Sequence, residues 1–522
     1  MRNQLGIAAL VTAVASGLVA MAAPAAAGVP ARYTAQQLNW HTCAPDEVNL
    51  PAGVPVEVLK GLDCATFSTP RDWDHPGQGT DLSIAVSRLA ATGSATDSVI
   101  TNPGGPGGAG RFFPLALAGQ ATLRQHQEII GMDARGTGKS TTVNCGDNGG
   151  MDGKLDPQNR DPRNLNKILD GVQAFVRACQ QHSGALLPYI DTYQTVRDID
   201  LLRSLLGRQK INWVGYSAGT WMGAHYAQTF PQHTGRFVLD SNTEFTGSWQ
   251  QSFGLQPIGI ERRWREDLVP WLAKYDADYH LGATADTVYQ NYQGIRAALA
   301  STPLDLGGGV TYRPFDLDLA ILAATEATGE WTTLAGTIGN ARTATDPTAS
   351  EQAKAAARAA IKAAQPAVDS NAGPQVATEY AVRCNDTRYV GGDRPSLIRP
   401  VLIRLSQQYI DAGMPLWGAA QLEQPCAFWP SHPKPTPTVN GKGVPPVLLV
   451  QAERDPVTPI EGARTAHATF QNSRLITVTG AGNHGQYALD QNSGLDAIVN
   501  NYLVNGVVPA DQSVPGSPLP TP

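Results

Sequence analysis

Charged residues are scarce in this chain of 522 residues. Asp, Glu, Lys and Arg together make up 16% of the sequence, against about 25% in a typical globular domain. No segment is dense in Lys or Arg, and the formal net charge is −6. Because a nucleic-acid-binding protein carries a basic patch or stripe, we expect no nucleic-acid partner.

The apolar run at the N-terminus lacks the positively charged flank that would stop its transfer across a membrane. Arg2 precedes an apolar stretch from Leu5 to Val19, and Ala25-Ala26-Ala27 offers an A-x-A cleavage site. An uncleaved anchor is the alternative, since Leu5 to Ala23 could nearly span a bilayer. We predict a signal peptide over residues 1–27, cleaved near Ala27, and a secreted protein without stable membrane association.

Closely spaced metal ligands are also missing. None of the six cysteines forms a C-x2-C pair, so we expect no metal site, and we expect no other cofactor. An even number of cysteines in an exported chain instead predicts disulfides. Loop closure favours sequential partners, which are Cys43–Cys64, Cys145–Cys179 and Cys384–Cys426.

Hydrophobic residues are plentiful enough, at 42% of the chain, for a large core. An antiparallel pair is predicted at Cys64–Pro70 and Leu82–Leu89, where apolar and polar residues alternate. Strands and helices then alternate, which predicts an α/β fold with a mostly parallel, doubly wound sheet. The predicted strands are 98–101, 128–133, 211–214, 236–240, 447–452 and 474–479, and the first helices are 195–206 and 217–230.

About 200 residues between Asp240 and Val447 break this rhythm. They contain helix candidates at 319–331, 350–365 and 397–411, which predicts a large helical insertion that caps the site. The predicted division is a core of residues 28–245, a helical cap insertion of 246–440 and a second part of the core of 441–507. The Pro- and Ser-rich residues 508–522 are predicted to be a disordered tail.

The pattern Gly215-Tyr-Ser217-Ala-Gly219 follows a predicted strand and opens a predicted helix. This is the setting of a nucleophile elbow, in which small residues on both sides allow a tight turn that exposes the serine hydroxyl. The helix N-terminus helps to stabilise negative charge there. We therefore predict Ser217 as a catalytic nucleophile.

A serine hydroxyl needs a general base and an acid that orients the base. In enzymes with this elbow the acid and then the base follow the serine along the chain. Asp455 and His484 each follow a predicted strand, so we predict the triad Ser217, Asp455 and His484. His467, within a predicted helix, is the competing base, and Asp455 could instead cap the helix that follows it.

Backbone N–H groups must stabilise the negative oxygen of a tetrahedral intermediate. Ala218, the residue after the nucleophile, is one expected donor. The second is expected in the glycine-rich loop Asn102–Gly108, at Gly105 or alternatively at Gly104. Gly105–Gly110, which begins in this loop, matches G-x-G-x-x-G, and Asp133 ends the next strand, so a dinucleotide-binding enzyme is the alternative from another class.

The motifs give the chain a specific resemblance to a known family. It resembles the secreted tripeptidyl aminopeptidases of actinobacterial type, which are α/β-hydrolase-fold serine peptidases related to prolyl aminopeptidases. The segments that carry the resemblance are Asn102–Gly110, Asp133–Ser140, Gly215–Thr220, Ala381–Asp386, Asp455–Pro459 and Gly482–Gly485.

The resemblance implies release of short peptides, tripeptides in that family, from a substrate with a free N-terminus. Such an exopeptidase needs carboxylates that hold the α-ammonium group. Glu379, Asp386 and Glu244 are the candidates. A prolyl aminopeptidase-like enzyme and a secreted carboxylesterase with the same triad are the alternatives, and we expect a monomer.

Overall fold

The predicted signal peptide lies outside the residues that the structure describes. The computed structural model describes residues 29–48, 50, 54–146, 155–365, 372–389, 395–430 and 433–522. Within these residues no helix is both long and apolar enough to cross a membrane.

A single large sheet organises the described part of the chain. Its ten strands stand in the order β1-β2-β3-β5-β4-β6-β7-β10-β11-β12. They are β1 His41–Thr42, β2 Leu62–Thr69, β3 Leu82–Leu89, β4 Asp97–Asn102, β5 Gln127–Met132, β6 Ile211–Tyr216, β7 Thr234–Asp240, β10 Val447–Ala452, β11 Ser473–Thr479 and β12 Gln512–Pro515. The strands from β1 to β5 pair antiparallel as β1-β2-β3-β5, and all the other neighbours are parallel.

Strand order reverses between β4 and β6. The chain places β5 on one side of β4 and then β6 on the other, with Asn102 opposite Gly215. A crevice at the carboxyl ends of parallel strands is the usual ligand site at such a switch point. All six residues of β6 and of β10 are buried, as expected for strands covered on both faces.

Helices cover both faces of the sheet. Those outside the insertion are α1 Ala31–Thr34, α2 Ala121–His126, α3 Pro162–Ser183, α4 Thr192–Leu205, α5 Ala218–Thr229, α17 Ile460–Thr469 and α18 Ser493–Asn505. Helix α4 begins three residues before the predicted start because the Asp191 side chain accepts the N–H of Gln194 as an N-cap.

The insertion between β7 and β10 has its own hydrophobic core. Trp264, Trp271 and Trp331 are buried there. Its helices are α6 Trp249–Gly254, α7 Gln256–Arg262, α8 Val269–Lys274, α9 Asp276–Tyr279, α10 Ala285–Ser301, α11 Pro314–Glu326, α12 Trp331–Thr345, α13 Glu351–Ala363, α14 Ala372–Asp386, α15 Pro395–Asp411 and α16 Pro415–Gly418. The helices predicted at 350–365 and 397–411 are present as α13 and α15, but the one predicted at 319–331 is wrong in its bounds, because α11 ends at Glu326 and α12 begins at Trp331. A small hairpin of β8 Leu304–Gly307 and β9 Val310–Tyr312 adds to the helices.

The predicted disordered tail is wrong. Residues Gln512–Pro515 form β12, which pairs in parallel with β11 at the edge of the sheet. The Trp271 indole also donates to the Pro520 carbonyl, at 2.8 Å. Proline is tolerated here because an edge strand leaves one row of N–H groups without a partner strand.

Three disulfides connect the cysteines in sequential pairs. Cys43–Cys64 links β1 to β2, and Cys145–Cys179 fastens the loop after β5 to α3. Cys384–Cys426 links α14 to a later segment of the insertion. These are the pairs that loop closure favours.

Candidate active site

Ser217 occupies the tight turn between β6 and α5. Its backbone has φ 54° and ψ −124°, a conformation that non-glycine residues rarely adopt. A Cβ at Gly215 would lie 2.5 Å from the Gly219 carbonyl oxygen, and one at Gly219 would lie 2.8 Å from that of Asn102. Only glycine fits at both positions, so the sequence pattern is explained by packing around the serine.

The glycine-rich loop after β4 lies directly against this turn. A Cβ at Gly104 would be 2.8 Å from the Ser217 Cβ and 2.9 Å from the Ala218 nitrogen. The Gly104 N–H donates to Asn102 Oδ1 at 2.9 Å. This bond occupies the Gly104 N–H, which favours Gly105 over Gly104 as the second donor to an oxyanion, beside Ala218.

Asp455 and His484 form a hydrogen-bonded pair beyond the carboxyl ends of β10 and β11, the same end of the parallel strands at which Ser217 follows β6. His484 Nδ1 lies 3.1 and 3.0 Å from the two carboxylate oxygens of Asp455. The Asp455 carboxylate is fully buried and accepts the N–H groups of Val457 and Thr458, at 2.9 Å each, and the Thr458 hydroxyl at 3.0 Å. Asp455 therefore orders the turn ahead of α17, and its oxygens also face the imidazole.

The charge state of His484 is set by opposing effects. Burial lowers its pKa, but the charge and hydrogen bond of Asp455 raise it, with smaller contributions from Glu326 and Asp240. The net pKa lies above the ordinary value of 6.5. A carboxylate in this position stabilises the imidazolium that forms when the imidazole takes a proton.

The structure does not bring His467 to this pair. His467 lies in α17, where its Nδ1 is 2.8 Å from the Ser473 hydroxyl and its Nε2 is 3.4 Å from Asp511. Its partners belong to the start of β11 and the C-terminal segment, so the structure favours His484 as the base.

Asp133 has a structural role in place of the ribose contact of a dinucleotide enzyme. Its oxygens accept the N–H groups of Gly110, Arg111 and Lys139, at 2.8 to 2.9 Å. These bonds hold the glycine-rich loop to the loop after β5. The residue is 1% exposed, so the dinucleotide alternative loses the acid on which it depended.

The insertion contacts both the glycine-rich loop and the loop that carries His484. A Cβ at Gly107 would lie 2.6 Å from the Gln375 carbonyl oxygen, so α14 packs on the glycine-rich loop. The His484 N–H donates to the Glu326 carbonyl at 2.8 Å. The Asn483 side chain accepts the Thr328 N–H at 2.9 Å. The insertion is therefore part of the wall around the site.

The three candidate carboxylates lie in different surroundings. Glu379, on α14, pairs with Arg383 at 2.7 Å and keeps a 25% exposed side chain. Asp386 accepts the N–H and hydroxyl of Thr192, both at 2.7 Å, and the Trp249 indole at 2.9 Å. Glu244 is buried and accepts both donors of Thr246.

Burial raises the pKa of each of these carboxyl groups, and neighbouring donors partly oppose the effect. Asp386 lines a cavity of about 250 Å³ together with Asp191 and Trp221. Trp221 also borders the small cavity beside Ala218 and Gly104. Glu244 lines a separate cavity of about 710 Å³. The Asp386 cavity is thus next to the turn that holds Ser217.

Family models match both parts of the sheet. Residues 97–283 match the model described as alpha/beta hydrolase fold, and residues 414–515 match the model described as TAP-like protein. The tripeptidyl aminopeptidase of Streptomyces lividans is 34% identical over 504 residues, which cover 92% of this chain and 87% of the relative. The chain belongs to the tripeptidyl aminopeptidase family.

Two other relatives share most of the chain at lower identity. Serine protease Hip1 of Mycobacterium tuberculosis is 25% identical and covers 91% of this chain and 90% of its own. A protein of M. tuberculosis named carboxylesterase B is 26% identical and covers 93% and 91%. This family member is a serine hydrolase of peptidase type with the α/β-hydrolase fold.

Three residues near the His484 site of this tripeptidyl aminopeptidase family member were not predicted from the sequence as parts of the site. Thr458 follows Asp455 by three residues, and a hydroxyl at that spacing was a readable signal of a side-chain bond. Asp240 ends a buried strand and was recognised only as a strand end. Glu326 had no local signal, since only the packing of the insertion brings it to His484.

Proposed function

We propose that the enzyme is a secreted serine exopeptidase that releases tripeptides from the free N-terminus of peptides or proteins. Ser217 is the nucleophile, His484 the general base and Asp455 the residue that orients the base. The observation that carries this proposal is the Asp455–His484 pair, at 3.0 to 3.1 Å, at the sheet edge where Ser217 occupies a strained turn.

The reaction follows from these positions. Ser217 Oγ attacks the carbonyl carbon of the third substrate residue, and its proton passes to His484 Nε2. Asp455 holds the proton of Nδ1, which keeps Nε2 free to accept. The tetrahedral intermediate collapses, and the leaving amine takes the proton from His484. Water, activated in the same way by His484, then hydrolyses the acyl-enzyme and releases the tripeptide.

Backbone N–H groups stabilise the oxyanion in this mechanism. The Ala218 N–H opens α5, and the Gly105 N–H follows the packed turn at Gly104. Such preformed donors cost no reorganisation when the negative charge develops, and removal of one donor typically costs about 10²–10³ in kcat.

Recognition of the substrate N-terminus requires a carboxylate at a defined distance from the carbonyl carbon that Ser217 attacks. Three extended residues span about 10 Å, so the acid must stand about that far from the reacting carbon. Asp386 is favoured by its cavity, which shares Trp221 and Thr192 with the cavity beside the nucleophile turn. Glu379 is favoured by its place on the helix that covers the glycine-rich loop, and Glu244 remains a third candidate.

Secretion is supported by the cysteine chemistry. All six cysteines are paired in disulfides, and such bonds persist in oxidising compartments outside the cytosol. The predicted signal peptide at residues 1–27 gives the route of export.

Active-site labelling with product analysis tests this function. A serine-directed organophosphate should label Ser217 once per chain, as located by peptide mass spectrometry, and Ser217→Ala should block labelling and turnover. Digestion of a peptide ten residues long with a free N-terminus should release its first three residues as one product. Label at another residue, or single amino acids as the first product, would contradict the proposal.

An esterase is the second candidate, because the relative named carboxylesterase B is 26% identical over nearly the whole chain. The same triad cleaves esters without any acid for a substrate ammonium group. Rapid hydrolysis of acyl esters together with no cleavage of free tripeptide anilides would favour this candidate.

A further inference from the structure

One short segment after β7 contacts both the nucleophile turn and the loop that carries His484. The carbonyl of Asp240 accepts the Ser217 N–H at 3.0 Å. Its carboxylate accepts the N–H groups of Tyr487, at 2.7 Å, and of Gln486, at 3.2 and 3.3 Å. Asp240 is fully buried, so it connects the two loops inside the protein.

Ser241 completes this connection. Its hydroxyl donates to Asp240 Oδ1 at 3.1 Å and accepts the Gly485 N–H at 2.8 Å. The three residues that directly follow His484 thus donate their N–H groups to Asp240 and Ser241. The backbone of residues 485–487, directly after His484, is therefore held in one conformation by these hydrogen bonds.

The backbone conformation of Ser241 is strained for a residue that carries a side chain. Its φ is +56°, in the left-handed region that disfavours residues with a Cβ. Glycine adopts this conformation without that strain. The hydroxyl contacts are the feature of Ser241 that glycine could not supply.

We propose that Asp240 and Ser241 are positioning residues that fix the His484 loop relative to the Ser217 turn. This inference rests on the proposed triad. Neither residue contacts the substrate in this account, and both act through the backbone at 485–487. Loss of the Ser241 hydroxyl would leave the Asp455 turn in place but let the imidazole sample orientations that face neither Ser217 nor Asp455.

The substitution Ser241→Gly separates positioning from stability. It relieves the backbone strain and removes the hydroxyl. We expect an unchanged or higher Tm and a kcat lower by about 3- to 10-fold, as for the loss of one or two hydrogen bonds, with KM within twofold. Titration of active sites with an organophosphate gives kcat per folded site. Ser241→Ala keeps the strain and should lose both stability and kcat.

Asn472 provides a matched control. It also has a positive φ, of 61°, and lies on the exposed turn ahead of β11. Asn472→Gly relieves the same kind of strain, and kcat should stay at the wild-type value.

The pH profile tests whether Ser241 acts through the histidine. Asp455, Glu326 and Asp240 are the carboxylates that raise the pKa of His484. If the loop loosens, the imidazole moves from these partners, and the acid limb of kcat/KM should shift to lower pH in Ser241→Gly. In a His484→Ala background, Ser241→Gly should cause no further loss in the residual hydrolysis of an activated ester.

The outcomes separate this inference from the proposed triad. Wild-type kcat and an unmoved acid limb in Ser241→Gly, or an equal loss in the His484→Ala background, would overturn the positioning role while the triad stands. Activity within tenfold of wild type in Ser217→Ala or His484→Ala would overturn the triad itself, and the positioning role with it.

Discussion

The substitution Asp455→Asn tests the role of the carboxylate with little change in shape. Asp455 Oδ1 accepts two backbone N–H groups, those of Val457 and Thr458. An asparagine must keep its oxygen toward these donors, because an NH2 group there would face two N–H groups. The amide nitrogen then faces His484 Nδ1 as a donor. The imidazole must accept at Nδ1 and carry its proton on Nε2, where it cannot take the proton of Ser217.

Because the imidazole of Asp455→Asn is in the wrong tautomer, we expect a large loss of kcat with little change in KM or in stability. The corresponding substitution in a serine protease of another fold lowers kcat by about 10⁴, which is about 5.4 kcal/mol at 1.36 kcal/mol for each tenfold. KM should change little, since the interaction acts in the transition state. The fold should survive, because the asparagine oxygen still satisfies the buried N–H groups.

Steady-state kinetics on a tripeptide p-nitroanilide, together with Tm, measure both effects. Asp318→Asn is the matched control: Asp318 is 2% exposed and bonds to Arg296 and Tyr292 in the core of the insertion. This control should lower Tm and leave kcat per active site within threefold. A kcat of Asp455→Asn within tenfold of wild type would refute the assignment of Asp455.

Three further predictions address pH, substrate binding and stability. Burial opposes the charge of His484, but its carboxylate neighbours outweigh burial and raise its pKa, so kcat/KM should rise with pH along a limb centred above 6.5. Because folding raises this pKa, the contribution of His484 and its carboxylate neighbours to the free energy of unfolding is complete below pH 6.5 and is lost as the pH passes the raised value. An acid limb of kcat/KM centred below pH 6 in the wild type would contradict the raised pKa. Glu379→Gln or Asp386→Asn should lower kcat/KM for free tripeptide anilides by about 10- to 150-fold, from a charge-assisted bond of about 1.5–3 kcal/mol, with small neutral esters unaffected; equal losses on both substrates would exclude an ammonium contact. Replacing Cys384 and Cys426 by serine should lower the free energy of unfolding by about 2–4 kcal/mol, since the bond closes a loop with a sequence separation of 42 residues; a denaturant midpoint equal to wild type would refute this.

The central strands of the sheet could be predicted from the sequence because they are buried on both faces. Segments such as Val447–Ala452 are nearly continuous apolar runs, and their ends match the structure closely. Helix α3, Pro162–Ser183, was not predicted, although Leu165, Leu169, Val172 and Val176 repeat at helical spacing. That signal was present in the sequence and could have been used.

The contacts of the insertion could not be predicted in the same way. Residues on strand ends, such as Asp455, are placed by the sheet, whose parallel strands end at one edge. Glu326 and Thr328 reach the His484 loop only because the second core packs against the first. The C-terminal strand at 512–515 carries a composition typical of disorder, and its order depends on pairing with β11, a long-range contact.

The most direct test of the proposed function compares a free tripeptide p-nitroanilide with its N-acetylated form on the wild-type enzyme. Acetylation removes the ammonium charge and leaves the scissile bond unchanged. The proposed exopeptidase should show kcat/KM for the free form that is higher by about 10- to 150-fold, as expected for one charge-assisted hydrogen bond. Equal rates on the two forms, with faster hydrolysis of acyl esters, would contradict it.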